Sequence, residues 1–156
     1  MLTVKDVVKG IADTVKEQYP EAEVYLHGMP GVITAPSFDV YIDSDRSEDD
    51  NRVQTVETVC VGIDYYPSEQ AGQQEGIKPL DVYSSLKSVF RNGFVRIGGR
   101  ALKVVLLRGG RRDGVTFLIV KLVFCDYRPV DIYDRPIGEE AHPKMNKINL
   151  KVNQEG

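Results

Sequence analysis

The densest apolar alternation in the chain runs over residues 115–124. Val115, Phe117, Ile119 and Val123 fall on one side of an extended backbone, and Leu118, Val120, Leu122 and Phe124 on the other. Only Lys121 interrupts. Two apolar faces predict a strand inside a sheet, covered on both sides. Elsewhere the period is helical. Val4, Val7, Val8, Ile11, Ala12 and Val15 follow the capping residue Thr3 and give way to Pro20, which predicts a helix over 3–19 with one buried face. Leu80, Tyr83, Leu86, Val89 and Phe90 form a second stripe, opened by Pro79 and stopped by Asn92-Gly93.

Shorter alternations supply the other strands. A strand is expected over 22–27, centred on Val24, Tyr25 and Leu26. Phe38, Val40 and Ile42 alternate with polar residues after Pro36. A long strand is expected over 53–66, with Val59, Val61, Ile63 and Tyr65 on one face and Gly62 as a bulge. Gly98-Gly99 predicts a tight hairpin between strands at 94–97 and 101–107. Residues 108–114 predict the next hairpin, leading into the central strand. The order is α-β-β-β-α-β-β-β. Short connections predict an α+β fold, a mostly antiparallel sheet with two helices against it. The domain is expected to span 1–128, with 129–156 as an extended C-terminal arm. That arm carries Pro129, Pro136 and Pro143, and its only alternation is Ile148, Leu150 and Val152.

The composition is that of a globular domain, 42% hydrophobic and 28% charged in 156 residues. A net charge of −3 disfavours nucleic acid or an anionic membrane as the main partner. No apolar run is long enough to span a bilayer, and the first residues lack the pattern of a secretory signal. Cys60 and Cys125 lie in apolar strand patterns, where two buried reduced thiols are expected, with a disulfide between adjacent strands as the alternative. His27 and His142 have no ligand partner at metal-binding spacing. No nucleophile elbow, phosphate loop or dinucleotide fingerprint is present. No catalytic residue, metal or cofactor is expected.

Charge, by contrast, is segregated. Asp43, Asp45, Glu48, Asp49 and Asp50 crowd one predicted loop, which lacks the glycine and terminal glutamate of a calcium loop. Arg108, Arg111 and Arg112 crowd the hairpin before the central strand. The hairpin has three readings: a charged tip that discourages edge pairing, a docking site for protein, or a short RNA-binding segment. Two patches of opposite sign suit a head-to-tail contact between identical subunits, which closes into a ring if the rotation permits. For the arm, Ile148, Leu150 and Val152 suit strand addition to a neighbour's sheet edge; a disordered tail is the alternative.

The layout resembles the small tail terminator proteins of long-tailed bacteriophages and of phage-derived particles such as defective prophages and tailocins, especially those of Gram-positive bacteria. The opening helix is followed by Val24-Tyr25, then Pro36-Ser37-Phe38-Asp39-Val40, then Ile63-Asp64-Tyr65-Tyr66-Pro67. A helix around 80–90 and the Asp113-Gly114 turn complete the match, over roughly residues 1–127. The resemblance implies a virion structural protein. Its members form a ring, commonly hexameric, on the head-proximal end of the tail tube. The ring stops tube polymerisation, meets the neck or connector and, in a contractile particle, touches the last sheath ring. The partners implied are further copies of the chain, the tail tube protein, the sheath protein and the connector. Assembly in the bacterial cytoplasm is implied, with no membrane partner. The alternatives are a neck or tail-completion protein of the same particle, a small nucleic-acid-binding module, and, last, an enzyme.

Overall fold

A computed structural model describes residues 1–33, 35–67 and 78–128. Helix α1 (Val4–Gln18) opens on a reciprocal cap: the Asp6 amide donates to Thr3 Oγ1 at 3.1 Å and the Thr3 amide to Asp6 Oδ2 at 2.8 Å. Its buried line is Val7, Val8, Ile11, Ala12 and Val15. Strand β1 (Glu23–Leu26) leads to two long strands, β2 (Ser37–Asp49) and β3 (Gln54–Tyr66). Helix α2 (Pro79–Phe90) follows, then β4 (Phe94–Ile97), β5 (Arg100–Arg112) and β6 (Val115–Tyr127). The expected order and α+β class are those observed.

The six strands form one sheet in the order β1-β2-β3-β6-β5-β4. Every pairing is antiparallel except β1 with β2. Both helices lie on one face and share a single core with it. Phe38, Val40, Val61 and Ile63 from the first hairpin meet Leu118, Val120 and Leu122 of β6 beneath Ile11, Leu86 and Phe90. Fully burying side chains of this size contributes about 1.5–3 kcal/mol each. Close backbone approach fixes the helices: a Cβ on Gly10 of α1 would lie 2.6 Å from Ile97 of β4, and one on Gly109 of β5 would lie 2.4 Å from the Tyr83 ring of α2.

Several expectations change. Strand β6 is interior, between β3 and β5, but only its even-numbered face is covered by the helices. On the other face Val115, Phe117 and Val123 are half-buried and Ile119 alone is buried. In α2 the buried line is Val82, Leu86 and Phe90; Leu80, expected in the stripe, is 71% exposed. Gly62 is not a bulge. The register shifts lie between Ile42 and Ser44 and between Val104 and Leu106. Gly62 instead lets the Tyr41 ring cross its Cα, where a Cβ would lie 2.3 Å from Tyr41 Cζ.

The acidic segment is a strand rather than a loop. From Ser44 to Asp49 it pairs residue for residue with Cys60 back to Thr55. Strand β3 is rich in Val and Thr and holds β2 extended where it passes beyond the helices, so both of its faces stay polar. The turn shrinks to residues 50–53, where Asn51 Oδ1 accepts from the Val53 and Gln54 amides, each at 3.0 Å. Likewise Arg108, Arg111 and Arg112 lie on β5. The β5–β6 turn is Asp113-Gly114, at φ 51° and 78°, the left-handed pair that tight hairpins favour. Gly98-Gly99, at φ 56° and 78°, makes the expected turn between β4 and β5.

Candidate assembly surfaces

The strand order sorts charge across the width of the sheet. On β1 and β2 the ionisable carboxylates are Glu23, Asp39, Asp43, Asp45, Glu48 and Asp49, against one base, Arg46. On β4 and β5 there are six bases, Arg96, Arg100, Lys103, Arg108, Arg111 and Arg112, and no acid. One margin of the sheet is therefore acidic and the other basic. The sequence-predicted acids and arginines belong to this pattern, but the structure does not bring them together within one chain. Registers carried across β3 and β6 put Asp49 at one end of the strands and Arg112 at the other. Thirteen residues at about 3.3 Å each separate the two ends by roughly 40 Å.

Both margins carry unpaired backbone. Strand β1 covers β2 only from Ser37 to Val40, and β4 covers β5 only from Arg100 to Lys103. Residues 41–49 of β2 and 105–112 of β5 have no strand on their outer side among the described residues. Residues 43–49 are all exposed, and on β5 so are Val105, Leu106, Arg108, Arg111 and Arg112. Some charges are engaged locally: Arg46 pairs with Glu48 at 2.7 Å, and Arg128 pairs with Asp49 beside the β2–β3 turn.

At the far end from the acidic turn, Tyr41, Asp64, Tyr66, Arg112 and Phe117 line a shallow cavity of about 250 Å³ on the face away from the helices. Tyr41 donates to Asp64 Oδ1 at 3.0 Å, and the Arg112 guanidinium lies 4.6 Å from the Phe117 ring centroid. Burial pushes the Asp64 carboxyl above the usual carboxylate range, and nearby Asp39 adds to it; the Tyr41 hydroxyl and Arg112 offset only part. Burial and the Asp64 charge push the Tyr41 phenol up in turn.

A second polar anchor, Asp126, is 6% exposed at the opposite end of the sheet. It accepts from the Leu2 amide at 2.8 Å and the Tyr127 amide at 2.9 Å, and faces Arg100 Nη1 at 3.4 Å. Burial alone would raise its pKa. The two amides and Arg100 outweigh burial and hold the carboxyl below its ordinary value. Asp126 thus ties the lead into α1 and the β4–β5 turn to β6. Neither Asp64 nor Asp126 was among the sequence-level candidates. Their signal is parity: Asp126 continues the buried line of Leu118, Leu122 and Phe124, where a lone acid must find donors.

Among the described residues no cluster of His, Cys, Asp or Glu has the arrangement of a metal site. Cys60 is half-buried, and Cys125, expected to be buried, is exposed on the odd-numbered face of β6, which the helices do not cover. Among these residues no helix is long and apolar enough to cross a membrane. His142, Ile148, Leu150 and Val152 lie outside the described residues.

This is a small α+β domain whose distinguishing features are two sheet margins of opposite charge. A model of the family described as phage tail terminator protein matches residues 6–134, and the chain belongs to that family. It is a structural protein of the tail of a phage or phage-like particle. One solved chain, 19% identical, aligns over 80% of this chain and 92% of its own at a TM-score of 0.39. Another, from the virion of a native gene transfer agent (GTA) particle, is 11% identical over 78% of this chain and 92% of its own, at 0.43. No curated protein matches the chain.

Proposed function

We propose that the protein forms a ring, of six copies, on the head-proximal end of the tail tube. There it stops further tube polymerisation and presents its upper face to the neck or connector. In a contractile particle it also touches the last sheath ring. The observation that carries this reading is family membership over residues 6–134. The charged margins are consistent with it, because a ring of identical copies needs two different, complementary sides on each copy. Asp43, Asp45, Glu48, Asp49 and Asp50 on one margin and Arg108, Arg111 and Arg112 on the other are the residues assigned to contacts between copies or with tail partners. Synthesis and assembly take place in the bacterial cytoplasm.

The domain ends near residue 128 in this reading, and 129–156 is an arm that adds a strand to a neighbouring ring or sheath subunit through Ile148, Leu150 and Val152. Truncation after Tyr133 tests the arm: particles with normally attached sheath reject it. The capping role is tested with particles lacking the protein. Tubes of uncontrolled, excessive length support termination. Tubes of normal length with unattached heads reject it in favour of a neck protein.

A further inference from the structure

We infer that copies of this chain join by antiparallel pairing of the free outer half of β2 in one subunit with the free outer half of β5 in the next. The sheet then runs on from copy to copy. The inference rests on the ring reading above and names the contact that would make the ring.

Three observations converge. The first is open backbone: residues 41–49 and 105–112 are stretches of similar length, and among the described residues no strand takes up the donors and acceptors on the outer side of either. The second is charge. The β2 stretch carries four acids, Asp43, Asp45, Glu48 and Asp49, against one base, Arg46, which pairs with Glu48, and the β5 stretch carries Arg108, Arg111 and Arg112 and no acid. Pairing β2 with β2, or β5 with β5, sets like charges opposite one another, so two-fold dimers are disfavoured. Pairing β2 with β5 sets opposite charges together. Exposed Val105 and Leu106, at 42% and 51%, add apolar surface to the basic side.

The third is geometry. Strands β2 and β5 run in opposite directions within one sheet, and rotation about an axis roughly along the strands preserves those directions, so the contact is antiparallel. The two free halves are not level, however. Asp45 is level with Val59, Leu122 and Val104, whereas the free half of β5 centres near Arg108, four residues further along that strand. Neighbouring copies must therefore be staggered by about four residues for every four long strands, or roughly one residue per strand. Closed barrels adopt that stagger when their strands tilt by about 36°. A flush arrangement would instead press β4 against β2 and β1 against β5.

The test is a charge exchange on the full chain. One variant carries Arg108→Glu and Arg111→Glu, the other Asp43→Lys and Asp45→Lys. Arg112 is left alone because it lies over Phe117. Melting curves verify that both variants fold. Assembly is read by native mass spectrometry and by occupancy of purified tube ends in electron micrographs. Each variant alone sets like charges at every contact and is expected to assemble at least about 100-fold more weakly than the wild type. An equimolar mixture restores complementary contacts in alternating order, which closes in a ring of six, and is expected to regain assembly. A single variant that assembles like the wild type, or a mixture that fails to recover, overturns the contact. A wild-type chain that forms no ring either in solution or on tubes overturns the ring reading itself.

Discussion

Replacing Asp126 by Asn keeps the shape of the side chain and removes one acceptor. Oδ2 receives the Leu2 amide, and Oδ1 receives the Tyr127 amide and faces Arg100. Whichever way the Asn amide turns, its NH₂ meets a donor, so one hydrogen bond to a charged group is lost at a site only 6% exposed. Such a bond is worth about 1.5–3 kcal/mol. Arg100 is 39% exposed and adds no more than about 1 kcal/mol. The expected loss at neutral pH is therefore about 2–4 kcal/mol, a large share of the stability of a domain this size. The pH dependence follows from the direction of the shift. The Asp126 carboxyl is depressed in the folded chain, so its contribution is complete above the ordinary carboxylate pKa of about 3.9 and is lost as pH falls through the lower folded value. Urea unfolding at pH 7, 5 and 3 measures both. The wild type and Asp126→Asn should differ equally at pH 7 and 5, and the gap should be narrower at pH 3. A difference below about 0.5 kcal/mol at pH 7, or a gap unchanged in acid, refutes the role assigned to these donors.

Asp64 has the opposite sign. Its raised pKa means that stability is lost as pH rises through the folded value, so Asp64→Asn, which can still accept from Tyr41, should gain relative to the wild type between pH 4 and 7 in the same urea series. Gly62→Ala drives a Cβ into the Tyr41 ring and should cost about 1–3 kcal/mol by thermal melting; adding Tyr41→Ala should recover much of it, because the clash is with a side chain. Gly109→Ala meets both the Tyr83 ring and the Phe117 carbonyl oxygen, each at 2.4 Å. It should cost about 3 kcal/mol, and Tyr83→Ala should not rescue it, because the backbone cannot move aside.

What could be read from the sequence is what local chemistry decides. Helix α1 is announced by Thr3, Asp6 and an unbroken stripe, and both tight turns by Gly98-Gly99 and Asp113-Gly114. The outer half of β2 was not legible, because Asp-Ser-Asp-Arg-Ser-Glu-Asp has no strand preference of its own; its conformation comes from β3 beside it. In α2, side-chain size favoured Leu80, but Val82, Leu86 and Phe90 share the phase that faces β6. The charge clusters were visible as runs. Their sorting to opposite margins was not, because it depends on β3 and β6 separating β2 from β5, and the sequence does not state the strand order. Arg96, Arg100 and Lys103 join the basic margin only once that order is known.

The same order bears on why the sheet, among the described residues, can leave two long edges open. An exposed edge invites pairing with any other strand, and the usual remedies are shortness, proline or scattered charge. Here each open stretch is long and lacks proline, and its charge is nearly of one sign. Charge of a single sign repels a like edge but attracts an unlike one, so it prevents random pairing less well than it selects a partner. Scattered charge would have sufficed had protection been the only requirement. Separating acids from bases by the full width of the sheet leaves each chain with two sides that cannot satisfy one another and that a second copy can satisfy. Such a contact is directional, and repetition of a directional contact yields either a closed ring or an open helix. The stagger between the two free halves is the quantity that decides between them.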